Sequence, residues 1–254
     1  MTLVPGEAQG VRCLACGGDF AIFAPYGLPP RPGLCPRCGA KPRHRALLVF
    51  FRRWLRPRLR AGGEVLDIGP SLAATRFVPR RDTIGRARYT AIDLDRRPHH
   101  DRLRAPHRFR RMDASRLRFR DRSFDVILCN NVLPCAPDDR AILAEIRRCL
   151  KPEGVAMVDV DVQVARTTLA ARLRRRDPRR FTAAYVATNG PHRFYGRDYP
   201  RRVRAAGLTL LRFDPLRGLG RAFRRRHGLK ADSRVYLAFA NPGAAAAFAR
   251  AAPR

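Results

Sequence analysis

Four cysteines near the start of the chain carry the most specific chemistry in the sequence. Cys13 and Cys16 are two residues apart in spacing, as are Cys35 and Cys38, and eighteen residues separate the pairs. Each pair can sit on a tight turn that aims two thiolates at one point, and four thiolates satisfy a tetrahedral Zn²⁺ with no open position. That chemistry is structural rather than catalytic, and so small a module needs its metal to fold. Gly17 and Gly39, directly after the pairs, suit such turns. His44, in Arg43-His44-Arg45, is expected as a surface contact because four cysteines already fill the site. The other three cysteines, Cys129, Cys135 and Cys149, are scattered, and an odd total argues against a disulfide framework.

A second constellation pairs acids with strand ends. Glu64-Val65-Leu66-Asp67-Ile68-Gly69 reads as a buried strand closing on an acid and a glycine turn. At the carboxyl edge of a parallel sheet, doubly wound folds bind nucleotide-like ligands at such turns, and an acid there can receive a ligand's ammonium. The glycine runs needed to cradle a phosphate are absent. Tyr89-Thr90-Ala91-Ile92-Asp93 ends the next strand on an acid, placed to accept both hydroxyls of a ribose. Asp93 or Asp95 capping a helix is the plainer alternative.

These residues need elements to position them. Glu64–Ile68, Tyr89–Ile92, Phe124–Leu128 and Val155–Val160 read as buried strands, and Leu208–Phe213 and Arg234–Phe239 as two last ones. A helix is expected from Pro137 to Leu150, with Asp138 and Asp139 at its start, Ile142, Leu143, Ile146 and Leu150 inward, and Pro152 and Gly154 stopping it. Leu47, Leu48, Phe51 and Leu55 share a helical face. Strands alternating with helices imply an α/β fold, a doubly wound, mostly parallel sheet, with a small zinc ribbon before it. The expected organisation is a zinc ribbon over 1–45, a Rossmann-like domain over 46–240 with a basic insertion at 161–206 covering the active edge, and a frayed tail over 241–254.

The 254 residues are 45% hydrophobic, which excludes general disorder, and no apolar run is long enough to span a bilayer. The opening residues lack the features of a signal peptide, so the expected location is cytoplasmic. The net charge is +32, and only Lys41, Lys151 and Lys230 of the 53 basic residues are lysine. GC-rich codon choice accounts for arginine over lysine but not for only 21 acidic residues. The excess points to a polyanion such as RNA or DNA, and Arg172 to Arg180 is the first candidate for the contact.

Ser123-Phe124-Asp125-Val126-Ile127-Leu128-Cys129-Asn130 and Glu145-Ile146-Arg147-Arg148-Cys149-Leu150-Lys151-Pro152-Glu153-Gly154 resemble the class I, Rossmann-like S-adenosylmethionine-dependent methyltransferases, in particular the type 11 family. The first is similar to that family's fourth strand, the second to its helix and fifth strand. Cys35 to Arg45 and Tyr195-Gly196-Arg197-Asp198-Tyr199 resemble a variant with an N-terminal four-cysteine module. The resemblance implies S-adenosyl-L-methionine as cofactor beside structural Zn²⁺. It implies that Asp67 and Gly69 frame the methionine part, and that Asp93 holds the ribose with Leu94 packed on the adenine. Asp113 would accept the adenine amino group, with Met112 and Ala114 beside it, and Asn130 would face the transferred methyl. Two departures stand out: Pro70-Ser71 follows Gly69 in place of a further glycine, and Leu133-Pro134-Cys135 replaces a frequent Leu-Glu-His.

Methyl transfer from a sulfonium needs chiefly in-line placement of the acceptor and a dry pocket. Asn130, His192 and Tyr195 are the acceptor-side candidates for catalysis, with Arg193 and Asp198 nearby. RNA is the favoured acceptor. A small-molecule acceptor, or a nucleic-acid-binding protein that keeps the fold without activity, are the alternatives.

Overall fold

The apolar runs of the central stretch assemble as a sheet. The computed structural model describes residues 10–27, 30–176, 191–230 and 233–251. Seven strands form the sheet: β1 (Glu64–Ile68), β2 (Arg88–Asp93), β3 (Arg108–Arg111), β4 (Phe124–Cys129), β5 (Leu150–Met157), β6 (Thr209–Phe213) and β7 (Val235–Phe239). Their order is β6-β7-β5-β4-β1-β2-β3. The first five run parallel, and β7 pairs antiparallel with both β5 and β6. Strand order reverses between β1 and β4, where a doubly wound sheet opens a crevice for ligands.

Register decides what stands at that crevice. Ile68 pairs with Ile92 on one side and with Cys129 on the other. The next residue of each chain segment, Gly69, Asp93 and Asn130, therefore leaves the sheet at a common level. Neighbouring strands lie about 4.8 Å apart, so three residues far apart in sequence share one short row.

β3 was not legible as a strand. Its Arg-Phe-Arg-Arg has three exposed side chains, because it is the sheet's edge and only Phe109 turns inward. The helix after β4 spans Asp139–Cys149, and Asp138 Oδ1 caps it by accepting from the amides of Arg140 and Ala141. Ile142, Leu143 and Ile146 face inward as the periodicity required, Cys149 joins them, and Leu150, expected in the same stripe, is buried as the first residue of β5. It stops before Lys151 and Pro152 because β5 already begins at Leu150.

The chain divides into two units, and the sheet lies in the one made of Ala61–Pro70, Ala87–Phe213 and Val235–Arg254. Its apolar centre includes Leu66, Ile127, Leu143, Ile146, Val158 and Ala238. The tail is not frayed as expected: Pro242–Arg250 is a helix with Asn241 Oδ1 accepting from the Gly243 amide. Phe248 supplies the reason, packing its ring against Phe213 and Phe239.

The expected insertion contains a small sheet, with strand Arg193–Gly196 between Val162–Val164 and Thr168–Leu169, and helices Ala170–Arg176 and Tyr199–Ala205. Residues 177–190 lie outside the described residues, and with them part of the Arg172–Arg180 run. The segment is tied to the ends of β4 and β5. The Tyr199 hydroxyl donates to the Val158 carbonyl, and buried Arg193 donates to the carbonyls of Ala136 and Pro137. Asp139 gathers Tyr195, Arg202 and Arg193 about one buried carboxylate, and these partners outweigh burial and hold its pKa below the ordinary range.

The second unit comprises Met1–Arg60, Ser71–Arg86 and Asp214–Arg234, so it is more than the expected ribbon over 1–45. Two antiparallel pairs, Val11–Arg12 with Asp19–Phe20 and Ala24–Tyr26 with Arg31–Leu34, carry the cysteine turns. Ala73 and Phe77, from the helix Leu72–Phe77, share an apolar cluster with Cys13, Cys35 and Cys38. Arg45 is wholly buried, donating to the carbonyls of Gly33, Ala40, His227 and Gly228 over the ring of Phe23. A guanidinium offers five N–H donors, and here the chain of three segments is knotted about them.

Candidate functional site

The two cysteine turns are built alike. The Cys13 amide donates to Gly18 and the Gly17 amide to Cys13, while the Cys35 amide donates to Ala40 and the Gly39 amide to Cys35. Gly17 and Gly39 have φ of +71° and +68°, the left-handed region the turns require. The four sulfurs lie within 4.8 Å of one another. Cys13 and Cys38 are 3.7 Å apart at sulfur, as are Cys16 and Cys35. Thiolates about 2.3 Å from a shared zinc stand about 3.8 Å apart at tetrahedral angles. The donor set and spacing fit that ion.

His44 is not a surface contact. Its Nδ1 accepts from the Lys41 amide and its Nε2 lies 3.4 Å from Ser71 Oγ, which in turn accepts from the Ala74 amide. Burial and the charges of Arg43, Lys41 and Arg45 push its pKa down to about 3, so the imidazole is neutral.

In the other unit, the crevice row has distinct chemistry at each place. Gly69 has φ +61°, and a Cβ there would meet Val132 Cγ2 at 2.7 Å. Its amide is held by the Ile92 carbonyl at 2.8 Å. The left-handed φ and the close approach of Val132 both require glycine here. Asp67 is sealed in beneath, accepting from the Tyr89 hydroxyl at 2.7 Å, and burial pushes its pKa up to about 7. Asp93 keeps a side chain 20% exposed, with Arg97 Nε 3.7 Å from Oδ2. Leu94 is 58% exposed, a large apolar side chain left in water beside that acid.

Across the row, Asn130 Oδ1 is buried without a hydrogen-bond partner. Asn131 after it sits at φ +58°, and its amide donates to the Asp159 carbonyl. A strained turn thus ends β4 with an unmet acceptor, which costs about 1–3 kcal/mol unless something meets it. Just past β3, Met112 and Ala114 are the partly and fully buried flanks of exposed Asp113. Asp113 Oδ1 accepts from both the amide and the hydroxyl of Ser115, and the Met112 amide donates to the Asp93 carbonyl.

The structure therefore brings Asp67, Gly69, Asp93, Leu94, Met112, Asp113, Ala114 and Asn130 to the carboxyl ends of β1, β2, β3 and β4. His192 is exposed just before Arg193–Gly196. Tyr195 does not serve as an acceptor-side group: it is 1% exposed, its hydroxyl donates to Asp139, and its ring packs on Tyr199. Asp198 is spent on the amide and hydroxyl of Thr167. Sequence reasoning passed over His99, whose Nε2 is 3.1 Å from the Pro70 carbonyl, and buried His100 beside it. A histidine pair in a polar run after Asp93 carries no periodic signal.

Residues 66–158, which hold the whole of this row, match the family model described as a methyltransferase domain. A chain from the Haloferax volcanii complex between the Trm112 methyltransferase activator and a methyltransferase is similar over 78% of this chain and 89% of its own, at 19% identity and a TM-score of 0.52. That likeness confirms the class I methyltransferase fold. A Burkholderia thailandensis 1,6-didemethyltoxoflavin-N1-methyltransferase with bound 1,6-didemethyltoxoflavin and S-adenosylhomocysteine aligns over 78% of this chain and 76% of its own, at 20% identity and a TM-score of 0.48. No curated protein matches the sequence. Among the described residues, no helix is long and apolar enough to cross a membrane.

Proposed function

We propose that this chain transfers a methyl group from S-adenosylmethionine to a polyanionic acceptor, RNA in the first place, and holds one structural zinc in its cysteine cluster. The observation that carries the cofactor reading is the row Gly69, Asp93, Asn130, set by register at the switch point of the sheet. Gly69 would admit the methionine part and Asp93 would take the ribose hydroxyls, while Asp67, buried and bonded to Tyr89, would support the turn from beneath and not receive the ammonium that the resemblance assigns to it. Exposed Leu94 would cover one face of the adenine and Asp113 would accept its amino group, with Met112 and Ala114 as the floor.

The bound cofactor supplies an electrophilic methyl, so the protein's task is placement and exclusion of water. Asn130 would orient the acceptor through its unmet Oδ1. His192 would serve as a base only where the acceptor carries a proton to lose. The Asp139 network would hold the segment of Arg193–Gly196 against the ends of β4 and β5.

The acceptor reading rests on charge left in water. In the segment after β5, Arg193 and Arg202 are consumed by Asp139, but Arg166, Arg172, Arg175, Arg176, Arg197 and Arg201 are exposed. A small-molecule acceptor is favoured instead by Val162 and Leu169, which stand 41% and 47% exposed on the same small sheet. Methyl incorporation from labelled cofactor into bulk RNA and into a metabolite extract decides between them. Under the RNA reading, RNA is labelled and its affinity falls with salt at a log–log slope of about −0.7 per phosphate contacted. Label only in small molecules would overturn it.

A further inference from the structure

The turn after β1 differs from a plain glycine turn, because Pro70 follows Gly69 and has no amide hydrogen to pin it. Gly69 is held through its own amide by Ile92. The Pro70 carbonyl is the handle that remains, and His99 Nε2 lies 3.1 Å from it. A carbonyl only accepts, so the imidazole must present its Nε2–H.

His99 is itself held in place. It sits in the short 3-10 turn Pro98–Arg102, five residues past the strand that ends at Asp93. His100, the next residue, is 1% exposed and stacks on Phe109 of β3 with ring centroids 4.1 Å apart and planes 13° apart. Its Nδ1 accepts from the Arg97 amide at 3.0 Å, closing the turn. The His99 ring meets that of His100 edge-on at 4.3 Å. Phe109 thus anchors His100, His100 braces His99, and His99 fixes the carbonyl of the turn on the neighbouring strand.

We propose that His99 is a positioning residue for cofactor binding: it locks the Gly69-Pro70 turn to the segment after Asp93, replacing the hydrogen bond that proline cannot make. The inference rests on the cofactor reading above. It joins the place where the methionine part would lie to the place where the ribose would lie, so both are held in one spacing before the ligand arrives. A pre-set spacing lowers the ordering cost of binding.

The test compares His99→Ala, His99→Gln and His99→Glu by calorimetric titration with S-adenosylhomocysteine, alongside melting without ligand. A neutral hydrogen bond is worth about 0.5–1.5 kcal/mol, so His99→Ala should bind roughly two- to tenfold more weakly. His99→Gln can offer an N–H at the same reach and should recover most of the loss. His99→Glu has similar bulk but sets an acceptor against a carbonyl, and should bind no better than the alanine variant. Equal affinity of His99→Ala and the unchanged protein overturns the inference and leaves the cofactor reading standing. So does a glutamine variant as weak as alanine. Failure of the unchanged protein to bind overturns both.

Discussion

Asp93→Ala probes the cofactor reading through one side chain. The carboxylate stands at the end of β2, 20% exposed, with the Arg97 guanidinium near it. If both oxygens accept from ribose hydroxyls, the substitution removes two charge-assisted hydrogen bonds, each worth about 1.5–3 kcal/mol. Water at so open a place recovers part of that, leaving a net loss of about 1.5–3 kcal/mol for the pair. Since about 1.4 kcal/mol is a factor of ten, affinity should fall roughly ten- to 150-fold. The fold should hardly change, because the exposed pair with Arg97 contributes only about 0.2–1 kcal/mol. Asp95→Ala is the control: its side chain is exposed two residues beyond the strand and should leave affinity within about twofold. Calorimetric titration of S-adenosylhomocysteine into each variant reads the difference. Equal affinity for the unchanged protein and Asp93→Ala would refute the placement of the ribose.

The remaining predictions concern the metal and the buried charges. Protein purified without chelator should hold one zinc per chain by elemental analysis, and Cys38→Ser should release it; a metal-free preparation with all four cysteines reduced would sink the zinc assignment. Asp67, raised by burial from an ordinary 3.8 to about 7, keeps its proton in the fold below neutrality and not in the unfolded chain. The unfolded chain ionises this group first, so stability falls as pH rises from about 4 to about 7, by up to the order of 4 kcal/mol. Asp67→Asn should then gain stability in urea relative to the unchanged protein at pH 8 but not at pH 4, and a pH-independent difference would contradict the shift. Arg45→Met should lower the melting temperature markedly, since four carbonyls lose their buried donor at about 1–3 kcal/mol apiece in the limit; a shift no larger than that of an exposed arginine such as Arg43→Met would show the knot to be dispensable.

Much of the fold was legible because its signals are local. Apolar runs gave six of the sheet's seven strands to within a few residues, and the stripe of Ile142, Leu143 and Ile146 gave the helix Asp139–Cys149. The cysteine spacing announced its own geometry, since two residues between thiols and a glycine after them already define a turn. The acids at strand ends were visible for the same reason: a short polar residue closing an apolar run is a local event.

What the residues one by one could not show is long-range pairing. Nothing local in Arg-Phe-Arg-Arg marks β3, which forms by pairing along the edge of β2. Nothing in Tyr195 reveals that its hydroxyl is spent on Asp139, 56 residues away. His44 and Arg45 look like surface charge in a basic run. Only packing shows one neutral beside Ser71 and the other buried among four carbonyls. The site itself divides the same way: sequence supplied Gly69, Asp93 and Asn130, each at the end of its own strand. Hydrogen-bond register placed them on one row, because pairing Ile68 with both Ile92 and Cys129 is a choice that only the assembled sheet makes.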